Sequence, residues 1–301
     1  MNNGLVLSGG GGKGAYQIGV IKALKENGYL DNIKYLSGTS IGAVNCLLYA
    51  MDDIDNMYNA WNDINLQTIF DIDPEMVKNQ NYHFSRDEML NLVEKYINFS
   101  KISNCSYKIY NTICNVSTMP VSCEYRLLCD YDKETIKKIM LASTALPVLY
   151  EPVLIDGNYY QDGGLCDNTP IKPLYDAGIR NIIVIELHKD YNINLSLFPG
   201  ANITIIAPSY DLGEFVEGTL NFSSEAINFR QMLGYKDGLR AIKTKFEKNE
   251  MYIRLEPVLA QNDYNEIMMK TKTDRTYKSL EVNINHNLNK FNEIAKKYDK
   301  Y

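Results

Sequence analysis

Three short glycine-bearing segments in this 301-residue chain hold residue types that can transfer an acyl group. The first is Gly38-Thr39-Ser40-Ile41-Gly42. A serine attacks a carbonyl efficiently only when its hydroxyl is held clear of the sheet. Flanking glycines let a strand turn sharply into a helix around it, and that helix aims its amide dipole at the reacting centre. The same residues also suit a structural turn with Ser40 as an ordinary helix cap. The second segment is the glycine run Gly9, Gly10, Gly11, Gly12, followed by Lys13 and Gly14. Consecutive glycines let backbone N–H groups converge on one anionic oxygen, the arrangement a tetrahedral intermediate requires. Lys13 either adds positive charge there or is a solvated side chain at a helix start. The third segment is Asp162-Gly163-Gly164. A serine needs a base, and a carboxylate in direct reach serves if its surroundings raise its proton affinity. Asp-Gly-Gly is equally a common turn.

Rival chemistries use the same residues. Gly9-x-Gly11-x-x-Gly14 fits a dinucleotide-binding fingerprint, and an oxidoreductase is the enzyme that reading gives. Such a fold wants an acidic residue at the end of its second strand, where this chain has Ser37-Gly38-Thr39-Ser40. A phosphate-binding P-loop fails, because Lys13 is followed by Gly14 rather than Ser or Thr. The histidines are His83, His188 and His286, none of them in a recognisable motif. Ser40, Asp162 and then His188 or His286 follow the chain order of an α/β-hydrolase triad. That fold reaches its serine only after several strands, whereas here the serine follows the second. A non-catalytic lipid-binding protein is a further alternative.

The elements that must position these groups read as an α/β sheet. Gly4–Ser8 is a short buried strand, Ala15–Asn27 a helix stopped by Gly28, Ile33–Leu36 a second strand, and Ala43–Met51 a buried helix. Strand, glycine loop, helix, strand, tight turn, helix is α/β grammar. Residues 52–100 change texture to Asp, Asn and aromatics, with the only tryptophan, Trp61. They read as an insertion packed over one sheet edge, with a helix from the capping box Ser85-Arg86-Asp87-Glu88 to about Asn98. Tyr107–Ser117 and Glu124–Leu128 alternate as strands do, and Asp132 caps a helix reaching Ala142. Val153–Asp156 and Tyr159–Gln161 form a hairpin about Gly157-Asn158. Asn181–Leu187 and Ile203–Ala207 are further buried strands, and the chain is mostly helical from Ser223. The expectation is one domain over 1–301, with its core at about 4–210 and a helical portion at about 223–301.

Bulk properties exclude several classes. With 31 basic and 37 acidic residues the net charge is −6, the wrong sign for nucleic acid. Cys46, Cys105, Cys114, Cys123, Cys129 and Cys166 contain no C-x-x-C pair and read most simply as reduced thiols rather than a disulfide framework, with a single bridge left open and Cys46 and Cys114 as core residues. No basic, apolar leader opens the chain and no apolar run approaches the ~18 residues of a membrane span. A cytoplasmic protein, peripheral to membranes at most, is expected. Residues 270–301 hold eight Lys or Arg against four Asp or Glu. This is either a tail drawn to anionic lipid or a solvated helix of mixed charge.

Taken together, the segments resemble the patatin-like phospholipase family. The resemblance rests on Ser8–Tyr16, on Gly38–Ala43, and on Asp156-Gly157-x-x-Tyr160-x-Asp162-Gly163-Gly164. Leu141–Pro147 and Asn168-x-Pro170 fit too, and Gly218–Phe222 with Gly234-Tyr235 is a weaker echo. The resemblance implies a three-layer α/β/α fold with a mostly parallel central sheet and helical insertions. It implies a Ser–Asp dyad without histidine, with Ser40 as nucleophile, Asp162 as base and the oxyanion hole at Gly10–Gly12. Substrates would be lipid or other acyl esters, cleaved without metal or cofactor.

Overall fold

A computed structural model describes residues 2–64, 86–147 and 149–298. The first half opens with β1 (Asn3–Leu7), α1 (Ala15–Glu26), β2 (Ile33–Thr39) and α2 (Ile41–Tyr49). Helices α3 (Ile54–Asp63), α4 (Asp87–Tyr96) and α5 (Phe99–Ile102) follow. Then come β3 (Lys108–Asn115), β4 (Ser122–Leu127), α6 (Lys133–Ser143), β5 (Val153–Ile155) and β6 (Asn158–Asp162). The rest is α7 (Lys172–Asp176), β7 (Asn181–Ile185), β8 (Asn202–Ile206), α8 (Ser224–Ala241) and α9 (Glu250–Tyr298). Contacts group the chain into two compact units, Met1–Glu256 and Pro257–Tyr301.

The sheet of the first unit has the order β5-β6-β3-β2-β1-β7-β8, with β4 also paired to β3. The five strands β3, β2, β1, β7 and β8 are mutually parallel. As expected of parallel strands, Leu5, Val6 and Leu7 form an uninterrupted buried run. Val6, Ile182 and Val184 pack on one face against Ile171, Leu174 and Ile179, from α7 and its flanks. Helices α2 and α6 pack on the sheet, and α1 lies against α8. There the backbones meet closely: a Cβ on Gly234 would stand 2.0 Å from the Tyr16 carbonyl.

Strand β3 carries three partners, and a strand has only two edges. β4 occupies one edge along Tyr110–Asn115. On the other, β2 pairs with Lys108–Thr112 and β6 pairs antiparallel with Ile113–Asn115. β2 and β6 therefore approach head to head along one edge of β3. β2 ends at Thr39 opposite Thr112, and β6 ends at Asp162 opposite Ile113. This meeting brings residues 40 and 162 together.

The hairpin, the Asp132 cap (accepting from Thr135 N–H at 2.8 Å) and the order of the strands match the sequence reading. β2 runs three residues past the expected Leu36, because Ser37, Gly38 and Thr39 keep their ladder bonds whatever their side chains. Of the expected insertion at 52–100, residues 65–85 lie outside the described residues, and helix α3 seats on α1 and α2. Its apolar stripe Met57, Ala60 and Trp61 is buried, and Trp61 stacks on Phe222 with centroids 6.4 Å apart. Asp87–Tyr96 follows Arg86 without a side-chain cap bond, and Ser85 lies outside the described residues. The cysteine reading needs one correction. Cys46 and Cys114 are buried free thiols, but Cys123 and Cys166 are joined by a disulfide. β4 brings Cys123 beside the loop after Asp162, a proximity that no local motif announces. The simple reading of reduced thiols fails at this one pair.

The second unit is formed by the greater part of α9, which carries Pro257 inside it. Among the described residues no helix is long and apolar enough to cross a membrane.

Candidate active site

The turn from β2 into α2 forces Ser40 to φ 54° and ψ −125°, a strained backbone for a residue with a Cβ. Gly38 and Gly42 stand on either side of it. A Cβ on Gly42 would come 2.1 Å from the Leu7 carbonyl, so only glycine lets α2 start this close to β1. Ser40 does not cap α2 with its side chain. Its hydroxyl donates instead to Asp162 Oδ2 at 2.6 Å, and Oδ1 accepts the Gly164 N–H at 2.8 Å. Both residues are buried. Burial raises the Asp162 pKa to about 6, against the opposing pull of the Ser40 and Gly164 hydrogen bonds and the Arg86 charge.

The direct 2.6 Å bond leaves no place for an imidazole between the two groups. His188 is exposed. His83 and the side chain of His286 lie outside the described residues. Among the described residues no group of His, Cys, Asp and Glu is disposed to hold a metal ion.

The glycine loop lies beside the serine. Gly11–Gly14 forms one tight helical turn whose first amides have no preceding carbonyl to meet. The Gly9 N–H donates to the Asn168 carbonyl at 3.0 Å, and Asn168 Nδ2 returns a bond to the Gly9 carbonyl at 3.2 Å. Lys13 N–H donates to the Gly10 carbonyl. The amides of Gly10, Gly11 and Gly12 take part in none of these bonds. Gly11 has φ +54°, and a Cβ there would lie 2.3 Å from the Thr219 carbonyl. Residues 218–221, the weaker sequence echo, thus form the wall against which the loop is moulded. Arg230, buried, holds that wall through the carbonyls of Asn221 (2.6 Å), Glu217 (2.9 Å) and Leu212 (3.3 Å). Lys13 is buried rather than solvated, and burial lowers its pKa while Asp211, Glu214 and Glu186 oppose that fall.

Further supports come from Leu141–Pro147, part of the resemblance, and from residues that carry no motif. Ser143 Oγ accepts the Ser40 N–H at 3.0 Å, and the Ala145 carbonyl accepts the Asp162 N–H at 2.9 Å. The end of α6 and the residues that follow it therefore hold both partners. Arg86 braces this segment, donating to the Leu141 carbonyl and to Thr144 Oγ1, with its guanidinium 4.6 Å above the Tyr150 ring. Burial pulls its pKa down to about 10. The loop after Asp162 is fixed by Gly163 packing on Thr112, by Thr39 Oγ1 donating to the Asp167 carbonyl at 2.8 Å, and by the disulfide. Gln17, Asn45 and Trp61 form a buried hydrogen-bonded chain from the Ser8 carbonyl to α3. An apolar cavity opens beside Ser40 and Gly11, walled by Ile41, Val44, Met89, Val93, Leu220 and Phe222.

Residues 5–175 match the model of the patatin-like phospholipase family. The chain belongs to that family. The matched span runs from β1 to α7 and includes the glycine loop, Ser40 and Asp162. Patatin-like relatives include lysophospholipase NTE1 of Candida albicans, 27% identical over 199 residues, covering 61% of this chain and 13% of that protein. Lysophospholipase nte1 of Aspergillus terreus is 30% identical over 192 residues, covering 61% and 12%. The chain thus matches only about an eighth of the length of these relatives. Uncharacterized protein R571 of Acanthamoeba polyphaga mimivirus is 28% identical over 202 residues, covering 60% and 64%. In fold, the chain is similar to the crystal structure of VipD from Legionella pneumophila, with a TM-score of 0.50, 17% identity, and 81% and 67% of the two chains covered.

Proposed function

We propose that this chain is a serine lipid acyl hydrolase that works through Ser40 and Asp162. The observation that carries the reading is the 2.6 Å bond between a strained serine hydroxyl and a buried carboxylate of raised pKa. Asp162 takes the hydroxyl proton as Ser40 Oγ attacks the ester carbonyl. The Gly10–Gly12 amides hold the oxyanion, whose charge they meet without rearrangement. Collapse expels the alcohol, which takes the proton from Asp162 and leaves an acyl-serine. Water then gives a proton to Asp162 as its oxygen attacks the acyl carbonyl; collapse breaks the Ser40 Oγ–acyl bond, Ser40 takes that proton back from Asp162, and the fatty acid leaves. The apolar cavity suits the acyl chain. The names of the fungal relatives favour a lysophospholipid or phospholipid ester, and contact with lipid would be peripheral.

A fluorophosphonate probe tests this directly. Mass spectrometry should find the adduct on Ser40 and none on Ser40→Ala. Absence of label on the native chain would leave a non-catalytic lipid binder as the better reading. The rate should also depend on pH in one direction at the acid end. Only ionised Asp162 accepts the proton, so kcat should rise through about pH 6 to a plateau. Replacing the Arg86 positive charge, Arg86→Met, removes an attraction that favours the carboxylate, weaker than the Ser40 and Gly164 hydrogen bonds. The midpoint should then move up, and Arg86→Lys should move it less. A midpoint that stays in place would show that Arg86 only braces the 141–144 segment.

A further inference from the structure

Exposed apolar side chains gather at one end of the sheet. Met119 and Val121 stand on the connection that leaves the carboxyl end of β3, and Met119 is 93% exposed. Leu154 and Tyr159 face each other across the β5–β6 hairpin, where the Tyr159 carbonyl accepts the Val116 N–H beyond that same end. Phe215 and Val216 (66% exposed) lie on the segment that follows the carboxyl end of β8. Ser40 opens at this end too. Phe215 and Val216 precede Thr219, packed on Gly11, and Leu220, which walls the cavity. The exposed pair is therefore continuous with the cavity beside the serine. Leu197, by contrast, stands on the return from β7 to β8, beside Lys172 and Tyr175.

Charge selects the occupant. Exposed Asp211, Glu214 and Glu217 flank the apolar pair, and no Lys or Arg occurs between residues 209 and 229; of the cations packed against this segment, Lys13 is buried and Lys189, over the Tyr210 ring, is exposed, one positive charge against three negative. An anionic bilayer is repelled by such a rim. A zwitterionic phospholipid surface, whose ammonium groups stand outermost, is complementary to it. We infer that this rim seats the protein on zwitterionic phospholipid aggregates, with Phe215 and Val216 entering the interface at the cavity mouth. The inference rests on the lipid hydrolase reading. It selects a lipid surface of no net charge, where a basic tail would select an anionic one.

The test uses the full chain carrying Ser40→Ala, so that vesicles survive. It should co-sediment with phosphatidylcholine vesicles and no better with phosphatidylglycerol vesicles. Phe215→Ser with Val216→Ser should weaken binding by about tenfold. Met119→Ser with Val121→Ser should weaken it independently, and Leu197→Ser should not. With Ser40 restored, the Phe215 and Val216 replacements should raise KM on dispersed phospholipid and leave hydrolysis of monomeric nitrophenyl butyrate unchanged. Undiminished vesicle binding by both double variants, or stronger binding to phosphatidylglycerol, would overturn the inference. Failure of the hydrolase reading is distinct: no nitrophenyl ester turnover and no fluorophosphonate label, whatever the vesicles show.

Discussion

Asp162→Asn is expected to lower kcat on a phospholipid ester by about four orders of magnitude while the protein gains stability above pH 6. The rate falls because an amide takes no proton from Ser40. The gain in stability follows from linkage. Asp162 holds its proton up to about pH 6 in the folded chain, against 3.8 as its ordinary value. The folded state is thus favoured at acid pH, and that advantage is lost as pH rises from about 4 through 6. At pH 8 the buried carboxylate costs up to about 3 kcal/mol, from about two units at 1.36 kcal/mol each. Asparagine never ionises, so the cost disappears. Thermal melts at pH 4.5 and pH 8 should show the variant gaining on the parent only at the higher pH. An Asp162→Asn enzyme that kept a substantial part of its rate would refute the dyad. Loss of activity on replacing His83, His188 and His286 together would point to a triad instead.

Gly11→Ala should lower kcat by about 10²–10³ with a much smaller effect on KM. The new Cβ would sit 2.3 Å from the Thr219 carbonyl, on a backbone at φ +54°. Neither conflict is relieved by moving a flexible side chain, so the loop must shift and its amides lose their aim. Gly157→Ala is the matched control. That residue also has positive φ (+81°), but nothing lies within 4 Å of the added carbon. It should cost about 1 kcal/mol of stability and no activity. The two variants, compared by kcat and by fluorophosphonate labelling rate, separate backbone strain from a displaced loop.

Ser40 and the glycine loop were legible in the sequence because each is a local pattern. A strand, small residues and a helix in succession leave few ways to fold. Asp162 was legible only through resemblance. By itself Asp-Gly-Gly is a turn, and what makes it more is the register of β6 on β3, which lies in hydrogen-bond pairing rather than in residue types. Arg86 and the Cys123–Cys166 pair were not foreseen for the same reason: each acts through contacts made by distant segments. Arg86 reads in sequence as one charge among many at a helix start. Trp61 stands out in the sequence only as the single tryptophan; its bond to Asn45 on α2 joins segments that no local pattern links.

The shared edge of β3 acts as a ruler. Backbone pairing comes in whole-residue steps, so the gap between the hydroxyl and the carboxylate is fixed by an integer rather than by fine adjustment of loops. A slip of β6 by one step would turn residue 162 to the opposite side of the sheet. The two groups lie 122 positions apart along the chain, and segments between them that touch neither this ruler nor the supports at Arg86 and Ser143–Ala145 are free to lengthen, shorten or change composition. The interval contains residues 52–100, from which part of the cavity wall is drawn. Under the proposed function, substrate preference can therefore drift within this interval while the spacing of residues 40 and 162 stays the same.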